Sequence, residues 1–507
     1  MIKVVDLLYK NPSKAIKTPN QMESMEHLLL NEVLGGATVN TALQKEVFDL
    51  ICVPEPDPEN VIWRRDILED FLKNPSMFDD LRSILAVYQD ICKNLLIATR
   101  GGGNTVYSKK EFSHRDSMIF RMRSLADAIV KCLELYETSA HIFSRMRLTS
   151  EAFISINEFI KSEIRSPDFI SLKELAEDLS SSLTLDTSYV MIMKLNKYFC
   201  IEDVDMLELD PTPYRYETPK KRKNFDSQAE VEFIGFDEND DHELQGLVEK
   251  SIAKLTQLME HIVNEMKSPF EKINKGIFFY RFGLHLENTL KDLGLPVCLP
   301  NIDPTTKGRF ECKNACDLWL AMNMKKKDRY SKPGEKIVKN DISMKPEDGA
   351  YVITGKNNAG KTVFLRTIGM IQILAQAGLP VPAESCYIST VNGLYAYFTA
   401  MDTGTGRFED EVKSVSSMLD IIHEGDMVLF NEAFQSTAFD EAADVLCNVF
   451  VYGAVKKFRC ISVTHLPDIK ERMDALEKEL GMKFHTKYAT AVLDENGEST
   501  YKIAEST

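Results

Sequence analysis

The sequence predicts two structural classes in one chain: a long, mainly α-helical region, and a C-terminal α/β domain with a parallel sheet. First, helical periodicity of apolar residues dominates residues 1 to about 345. Second, short apolar strand patterns alternate with helical patterns from about residue 335 onward. Third, a glycine-rich segment, residues 355–362, lies between a strand pattern and a helix pattern.

The composition is typical of a soluble globular protein. The chain has 507 residues, of which 44% are hydrophobic and 27% charged, which fits about three domains. Its apolar runs are far shorter than the roughly 20 residues that cross a bilayer, and its N-terminus has no signal-peptide core. Ten cysteines without C-x-x-C spacing indicate reduced thiols rather than disulfides or a zinc site. We therefore predict a cytoplasmic protein that does not associate with membranes.

The formal net charge of −16 bears on the choice of partner, because an acidic protein as a whole repels DNA and RNA. Contact with nucleic acid therefore requires a local basic surface. Two dense basic runs, residues 220–223 and 325–329, are candidates. A solvated loop is the more common role for such a run, so composition alone does not favour a nucleic-acid binder.

The helical region contains several amphipathic patterns. Residues 66–72 place apolar side chains on one face, and Asn74-Pro75 ends that helix. Longer patterns cover residues 78–98, 114–147, 149–164 and 170–183. A glycine cluster at 101–103 is interpreted as a flexible break, because no strand precedes it as a phosphate-binding loop would require.

Residues 185–240 differ in character from the helices on either side. Short apolar stretches at 188–193 and 231–236 flank a segment rich in proline and lysine, and an acidic run at 237–241 leads into a helix near 242–268. We predict an inserted or mobile module between two long helices. The predicted domains are 1–184 (helical core), 185–240 (insertion), 241–334 (returning helices and connector) and 335–507 (α/β domain).

Residues 355–362 fit the G-x-x-x-x-G-K-[ST] pattern of a phosphate-binding loop, with a strand pattern before them and helical spacing after them. Glycines let backbone N–H groups close around phosphates, and a helix N-terminus adds partial positive charge. Lys361 would reach the β- and γ-phosphates, and the Thr362 hydroxyl would bind Mg²⁺. This pattern predicts nucleoside triphosphate binding. The predicted contact residues are Gly355, Lys356, Asn357, Asn358, Ala359, Gly360, Lys361 and Thr362.

A second part of the predicted site follows an uninterrupted apolar run, residues 427–430, which predicts a buried central strand. The run ends in Asn431-Glu432, at the end of the strand where α/β sheets place ligands. In nucleotide hydrolases this position supplies an acidic metal ligand and then a carboxylate that orients the attacking water. Glu432 can take the second role. Asn431 offers the metal only a neutral oxygen, which should weaken metal binding.

A third strand pattern, residues 459–463, ends in Thr464-His465. A histidine at this place could sense the γ-phosphate through a hydrogen bond and titrate near neutral pH. A structural role at a strand end is the more common one for such a residue. The position of His465 one strand beyond Asn431-Glu432 favours the sensor.

These segments together resemble the ATPase domain of the MutS family, the ABC-type ATPases of DNA mismatch repair. Residues 354–362 are similar to the family's T-G-P-N-M-A-G-K-S loop, and residues 374–384 end in its V-P-A-E turn. Further matches are residues 337–342, Phe398-Thr399, Phe408 with Glu411, and Thr464-His465. Residues 64–75 more weakly resemble a pattern of the family's helical core, and the 185–240 insertion lies where the family carries its DNA clamp.

The resemblance implies an ABC-type P-loop ATPase domain behind a helical core and lever region with a small clamp-like insertion. It also implies ATP and Mg²⁺ as ligands, Glu432 and His465 as catalytic residues, and composite sites in a head-to-tail homodimer. The implied function is an ATP-dependent clamp on DNA in repair or recombination. Branched DNA, recombination intermediates or structured RNA are expected rather than single mismatches, because we expect no room in the chain for the family's mismatch-reading wedge module.

The departures from the family pattern concern hydrolysis and dimerisation. The usual D-E is Asn431-Glu432, the glycine-rich segment after it is shortened at 431–440, and the signature serine and threonine are Gly406-Arg407. The chain stops near 501–503, where the family continues into a dimerising helix-turn-helix, and no nuclease-like module follows. These departures leave open an alternative, a slow or non-hydrolysing nucleotide-gated scaffold for a protein or ribosomal partner.

Overall fold

The computed structural model describes residues 5–35, 41–100, 114–182, 188–195, 201–209, 238–398, 407–434 and 436–506. Several features singled out from the sequence lie outside these residues: the glycine cluster at 101–103, most of the 185–240 insertion with the basic run at 220–223 and the apolar stretch at 231–236, Thr399, and Gly406.

The N-terminal part of the described chain is mainly helical, as predicted. Its helices are α1 (Pro19–His27), α2 (Leu30–Gly35), α3 (Thr41–Cys52), α4 (Pro58–Lys73), α5 (Met77–Arg100), α6 (His114–Ser144), α7 (Glu151–Ile164), α8 (Pro167–Ser182) and α9 (Glu238–Asp292). Helix α4 begins after Asp57, whose side chain accepts the Glu59 N–H, and ends before Asn74, as the Asn74-Pro75 pair indicated. The other predicted helices agree with α5 to α8 within a few residues.

The prediction for α9 was too short. The helix begins inside the acidic run and continues through Pro269, beyond the expected end near 268. Phe270, Ile273 and Tyr280 beyond the proline are all buried, so tertiary packing stabilises this part of the helix despite the hydrogen bond that Pro269 cannot donate. Two antiparallel strands, β1 (Ser188–Leu195) and β2 (Ile201–Leu209), lie between α8 and α9.

The C-terminal part alternates strands and helices. Its strands are β3 (Asn301–Asp303), β4 (Phe310–Ala315), β5 (Asn340–Met344), β6 (Ala350–Thr354), β7 (Ser385–Ser389), β8 (Leu394–Phe398), β9 (Met427–Asn431), β10 (Arg459–Val463), β11 (Thr486–Leu493) and β12 (Ser499–Glu505). Its helices are α10 (Leu318–Lys327), α11 (Lys361–Gln376), α12 (Arg407–Asp420), α13 (Phe439–Lys456) and α14 (Ile469–Leu480).

The strands of the C-terminal part form two sheets in the described residues. The larger has the order β12-β11-β6-β10-β9-β8, parallel throughout except for β12. The smaller has the order β3-β7-β4-β5. Its first strands precede residue 335, where the sequence placed the start of the strand-rich part. Strand β3 has only three residues, and the alternation of apolar and polar residues in β4 covers only residues 310–313, the shortest run that predicts a strand.

The helical and α/β parts share one continuous hydrophobic core. Helix α1 covers the edge strand β8, where the Ser24 hydroxyl accepts the Ala396 N–H at 2.8 Å and His27 stacks on Phe398. Helix α11 is tied to the segment before α4, because the buried Gln376 donates to the Glu55 carbonyl at 2.7 Å. The helix that follows the glycine loop therefore packs directly against the helical region.

Two composition-based expectations bear on the fold. The cysteines in the described part of the chain, Cys52, Cys92, Cys132, Cys298, Cys312, Cys316, Cys386, Cys447 and Cys460, are all free thiols. Among the described helices, none combines the length and the apolar character needed to cross a membrane.

Candidate functional site

The predicted phosphate-binding loop connects β6 to α11 at the carboxyl end of the parallel sheet. Gly355 has a φ of +135° and Gly360 a φ of +87°, values that side chains rarely allow. A Cβ atom on Gly355 would lie 2.7 Å from the Ala491 Cβ, so the path of the loop requires glycine there. Gly360 is the N-cap of α11 and carries no side-chain acceptor, which leaves the first N–H groups of this helix for another partner.

Lys361 lies across this loop. Its side chain is 3% exposed, and its ammonium donates to the carbonyls of Gly355 at 2.6 Å and Lys356 at 3.0 Å. The Nζ atom lies 4.0 Å from Oε1 of Glu432. Burial lowers the pKa of the Lys361 ammonium, and the Glu432 carboxylate opposes that shift. The loop therefore encloses a cation held mainly by neutral carbonyls.

The predicted metal ligands are in direct contact. The Thr362 hydroxyl donates to Oδ1 of Asn431, at the end of β9, with a distance of 2.8 Å. Strand β10 pairs with β9 so that Val463 is opposite Asn431. Glu432 follows with a φ of +54°, and its N–H donates to the Val463 carbonyl at 2.8 Å. This left-handed backbone is costly for a glutamate and is found mainly where the surroundings impose it, often at functional sites.

Thr464 and His465 follow β10 at the same end of the sheet. Thr464 is fully buried, and its N–H donates to the Ile353 carbonyl of β6 at 3.0 Å. The His465 ring meets the Phe439 ring edge-on, with 5.7 Å between centroids. Its Nδ1 atom is buried and has no hydrogen-bond partner in the described part of the chain. A buried nitrogen without a partner is uncommon in folded proteins and fits a group that awaits a ligand or water.

The C-terminal hairpin of β11 and β12 forms one wall of this site, which the sequence did not predict. Besides the contact of Ala491 with Gly355, a Cβ atom on Gly360 would lie 3.3 Å from Cδ1 of Tyr501. Tyr501 has a φ of +57°, and its side chain is about half exposed. Its carbonyl accepts the Asn340 amide at 3.1 Å. An exposed aromatic ring therefore lies beside the N-terminus of α11.

The sequence does contain a signal for this hairpin. Asn496-Gly497 lies between two strand patterns, and that dipeptide is typical of tight hairpin turns. Such a signal predicts local pairing, but it cannot show that the hairpin packs on a loop far away in the sequence.

The donors at this end of the sheet suit a triphosphate and a hard divalent cation. The paired oxygens of Thr362 and Asn431 are both neutral, and Mg²⁺ in nucleotide sites commonly takes few protein ligands beside phosphate and water. Lys361 supplies a buried positive charge next to the glycine turn. The described residues contain no cluster of three His, Cys, Asp or Glu side chains placed to hold a metal by themselves. Mg²⁺ here would therefore depend on phosphate oxygens for most of its negative charge.

A cavity of about 500 Å³ lies at the opposite, amino end of the same strands. It is lined by residues that precede β6 and β9, among them Asp348 and Asp426, by Arg459 at the start of β10, and by the loop 303–309. Arg459 donates to the carbonyls of Asp348 at 3.1 Å and Lys345 at 2.8 Å. This cavity contains none of the predicted site residues.

The class of protein follows from this geometry and from the sequence comparisons. The chain combines a helical region with a C-terminal α/β domain whose glycine loop lies at the carboxyl end of a mainly parallel sheet. Residues 351–505 match the family described as MutS domain V. The resemblance to MutS is therefore confirmed for the C-terminal part of the chain, and the matched segment contains every predicted site residue.

Curated relatives match over the same part of the chain. An Endonuclease MutS2 of Ligilactobacillus salivarius is 31% identical over 140 residues, which are 27% of this chain and 18% of the relative. A DNA mismatch repair protein MutS of Salinibacter ruber is 29% identical over 153 residues, 29% of this chain and 17% of the relative. A putative endonuclease MutS2 of Bacillus subtilis is 28% identical over 142 residues, 27% and 18% respectively. The matched segment thus spans less than a fifth of each of these relatives.

Proposed function

We propose that this chain is an ATPase of the MutS type, which binds ATP and Mg²⁺ at residues 355–362 and uses the nucleotide to control a clamp on DNA. The observation that carries the proposal is the arrangement of Lys361, Thr362, Asn431 and Glu432 around one glycine turn, joined by contacts of 2.8 Å and 4.0 Å. This arrangement lies inside the segment that matches MutS domain V.

Different groups of the loop would bind the phosphates and Mg²⁺. The backbone N–H groups of residues 355–362 would hold the phosphates, aided by the positive end of α11. Lys361 would exchange the Gly355 and Lys356 carbonyls for phosphate oxygens, and a charge-assisted bond is stronger than a bond to a neutral carbonyl. Thr362 and Asn431 would hold Mg²⁺, which when bound neutralises developing charge on the phosphates.

Two residues would act on the attacking water and the γ-phosphate. Glu432, whose side chain is 26% exposed, would accept a hydrogen bond from water and orient it. His465 would donate a hydrogen bond to a γ-phosphate oxygen through the Nδ1 atom, which has no partner among the described residues. The exposed ring of Tyr501 beside Gly360 offers an apolar face for the base or ribose.

The part of the proposal that concerns the whole chain is the clamp. The names of the relatives refer to DNA mismatch repair and to an endonuclease, which favours DNA in repair or recombination as the partner. The strands β1 and β2 lie between the long helices α8 and α9, where a clamp module would be carried at the end of a lever. A homodimer with composite ATP sites and a cytoplasmic location belong to the same proposal.

One observation favours a second candidate function. The metal pair Thr362 and Asn431 contains no carboxylate, which weakens Mg²⁺ binding and slows hydrolysis. In that case the chain would be a nucleotide-gated scaffold that binds ATP, releases it slowly and recruits a protein or ribosomal partner.

Steady-state ATP turnover of the purified chain, alone and with homoduplex, mismatched or branched DNA, separates the two candidates. Lys361→Ala should reduce ATP binding by about 100-fold or more, because it removes the buried cation of the loop. Glu432→Ala should retain binding but lose turnover, which also controls for contaminating ATPase.

Stimulation of turnover by one form of DNA supports the clamp. ATP binding with turnover at the level of Glu432→Ala, whatever DNA is present, supports the scaffold. Unchanged ATP binding in Lys361→Ala would show that the nucleotide lies elsewhere.

A further inference from the structure

The last turn of α10 and the segment after it concentrate positive charge on a chain of net charge −16. We call residues 325–336 the α10 basic loop. Its cationic residues are Lys325, Lys326, Lys327, Arg329, Lys332 and Lys336, and its acidic residues are Asp328 and Glu335. This is the second basic run noted in the sequence, and it belongs to neither the glycine loop nor the predicted clamp insertion.

Most of these cations are exposed and available. Lys326, Lys327, Arg329 and Lys332 are exposed, and within the described part of the chain none of the four forms an ion pair. Lysines in a last helical turn stabilise the negative end of the helix, which accounts for Lys326 and Lys327. That account does not extend to Arg329 and Lys332, which lie beyond the end of α10.

Tyr330 lies in the middle of the α10 basic loop with 98% of its surface exposed. The turn that carries it is well bonded. The Tyr330 N–H donates to the Asp328 carboxylate at 3.1 Å, the Ser331 hydroxyl to the Asp328 carbonyl at 2.8 Å, and the Lys325 ammonium to the Ser331 carbonyl at 2.7 Å. The ring is therefore held away from the protein by an ordered turn, with both faces free.

The base of α10 is also fixed. Asp317, the N-cap, accepts the Leu320 N–H at 2.6 Å and forms a buried ion pair with Arg366 of α11 at 2.9 Å. The Arg366 guanidinium in turn lies over the Trp319 ring, 4.5 Å from its centroid. Helix α10 thus presents the α10 basic loop from a rigid support that it shares with the helix following the glycine loop.

We propose that the α10 basic loop binds single-stranded nucleic acid, with its cations on successive phosphates and the Tyr330 ring stacked on an unpaired base. Exposed cations around an exposed aromatic ring are the combination that single-stranded polynucleotides require, because each base offers a π face and each nucleotide a charge. A duplex offers the same phosphates, but its bases are already stacked, so Tyr330 selects an unpaired strand. The proposal extends the proposed function, since it shares the nucleic-acid partner but needs neither ATP nor the clamp.

The test is fluorescence anisotropy of a labelled oligothymidylate with the full chain, without nucleotide, over a range of salt concentrations. Tyr330→Ala should weaken binding about 5-fold or more, because one stacked base contributes about 1–3 kcal/mol, whereas Tyr330→Phe should keep the affinity. Replacing Lys326, Lys327 and Arg329 together by alanine should reduce the slope of log affinity against log salt by about 2, at about 0.7 per phosphate contact.

The chain offers a matched control at the end of α13. Tyr452 is exposed there and Lys456 lies over its ring, 5.7 Å from the centroid. Alanine at both positions should leave oligothymidylate binding unchanged. An abasic oligonucleotide should bind wild type and Tyr330→Ala equally, since it has no base to stack.

Equal affinity of wild type and Tyr330→Ala for oligothymidylate, or an unchanged salt slope in the triple variant, would overturn the proposal. So would inorganic polyphosphate competing as strongly as oligothymidylate, because charge alone would then explain the binding. Repeating the measurement in Lys361→Ala separates this inference from the proposed function. Binding at the α10 basic loop should persist there, whereas ATP-dependent effects on DNA should disappear.

Discussion

The two ends of the six-stranded sheet both carry polar side chains, but they use them differently. At the amino end, several polar groups form hydrogen bonds within the protein. Arg459 donates to two backbone carbonyls, and the Asp303 carboxylate accepts the N–H groups of Thr305 and Thr306. At the carboxyl end, His465 has a buried nitrogen without a partner in the described residues, and Glu432 has a left-handed backbone. The amino end also has a buried atom without a partner in the described residues, Oε1 of Gln372, and two left-handed residues, Lys457 and His485. The two ends differ because Glu432 at the carboxyl end lies beside a glycine loop and a helix N-terminus.

The size of a cavity points to one end of the sheet, and the phosphate-binding pattern of the sequence points to the other. The cavity of about 500 Å³ at the amino end is large enough for a small molecule, yet the polar groups around it mainly fix loops. The carboxyl end is where parallel strands place the N-termini of the following helices and their free N–H groups. The direction of the strands, more than the volume between side chains, decides which end can bind phosphate.

The largest expected effect that tests this comparison is steric and lies at the carboxyl end. Gly355→Ala places a Cβ atom 2.7 Å from the Ala491 Cβ and 3.1 Å from the Ala491 nitrogen, at a φ of +135° that alanine avoids. Backbone strain and overpacking together should lower the free energy of unfolding by about 4 kcal/mol. Chemical denaturation and ATP binding should both report the loss.

Gly481→Ala is the matched control. Gly481 also has a left-handed backbone, with a φ of +62°, but a Cβ atom there would have nothing within 4 Å. Alanine should cost only about 1 kcal/mol at this position. If both variants lose the same stability, the hairpin does not pack closely on the glycine loop at Gly355.

The next effect concerns a charge at the amino end. Burial raises the pKa of Asp426 from 3.8 to about 6, although its carboxylate accepts the His423 N–H at 2.7 Å. A raised pKa in the folded state means that the protonated form is stabilised. This contribution to stability is fully present below pH 3.8 and is lost as the pH rises through about 6. Asp426→Asn should therefore gain stability relative to wild type between about pH 4 and pH 7, by about 2–3 kcal/mol.

Asp303→Asn supplies a control of opposite sign at the same cavity. Hydrogen bonds from the Thr305 backbone and then the other donors around it lower the pKa of Asp303 to about 2, despite burial. Its contribution is present above pH 3.8 and is lost as the pH falls through about 2. Over the range from pH 4 to pH 7, Asp303→Asn should be less stable than wild type by a constant amount. If the stability difference from wild type grew with pH in both variants, the carboxylates of Asp303 and Asp426 would have similar pKa shifts, contrary to this prediction.

Much of the carboxyl end could be predicted from the sequence, because its signals are local. The strand, glycine loop and helix around residues 355–362 are contiguous, and the apolar runs of β9 and β10 end where polar pairs begin. The periodicity of apolar residues likewise predicted the helices α5 to α8. The pattern could also place Asn431 and Thr464 at the same end of the sheet, since parallel strands finish together.

The remaining features depend on contacts between segments far apart in the chain. Nothing near Tyr501 indicates that its ring lies beside Gly360, because that placement follows from β11 pairing with β6. Strand β4 was missed because its alternating pattern is short, whereas its pairing with β7 and β5 joins segments far apart in the sequence. The cavity at the amino end likewise arises where loops of both sheets meet. Local sequence patterns contain no information about contacts between segments that are far apart in the chain.

The smallest effect returns to the carboxyl end and asks whether Asn431 belongs to the metal shell. Asn431→Asp would give the Thr362 hydroxyl a carboxylate partner in place of the amide oxygen at 2.8 Å. A charged oxygen ligand should tighten Mg²⁺ binding in the presence of ATP by about tenfold, or about 1.4 kcal/mol, as measured by titration of turnover or of ATP affinity with Mg²⁺. The same substitution at Asn392, which lines the amino-end cavity and donates to the Glu424 carbonyl, should leave the Mg²⁺ dependence unchanged. If both variants tightened Mg²⁺ binding equally, the added negative charge would attract the cation from either end of the sheet. The two ends would then differ in structure but not in metal binding.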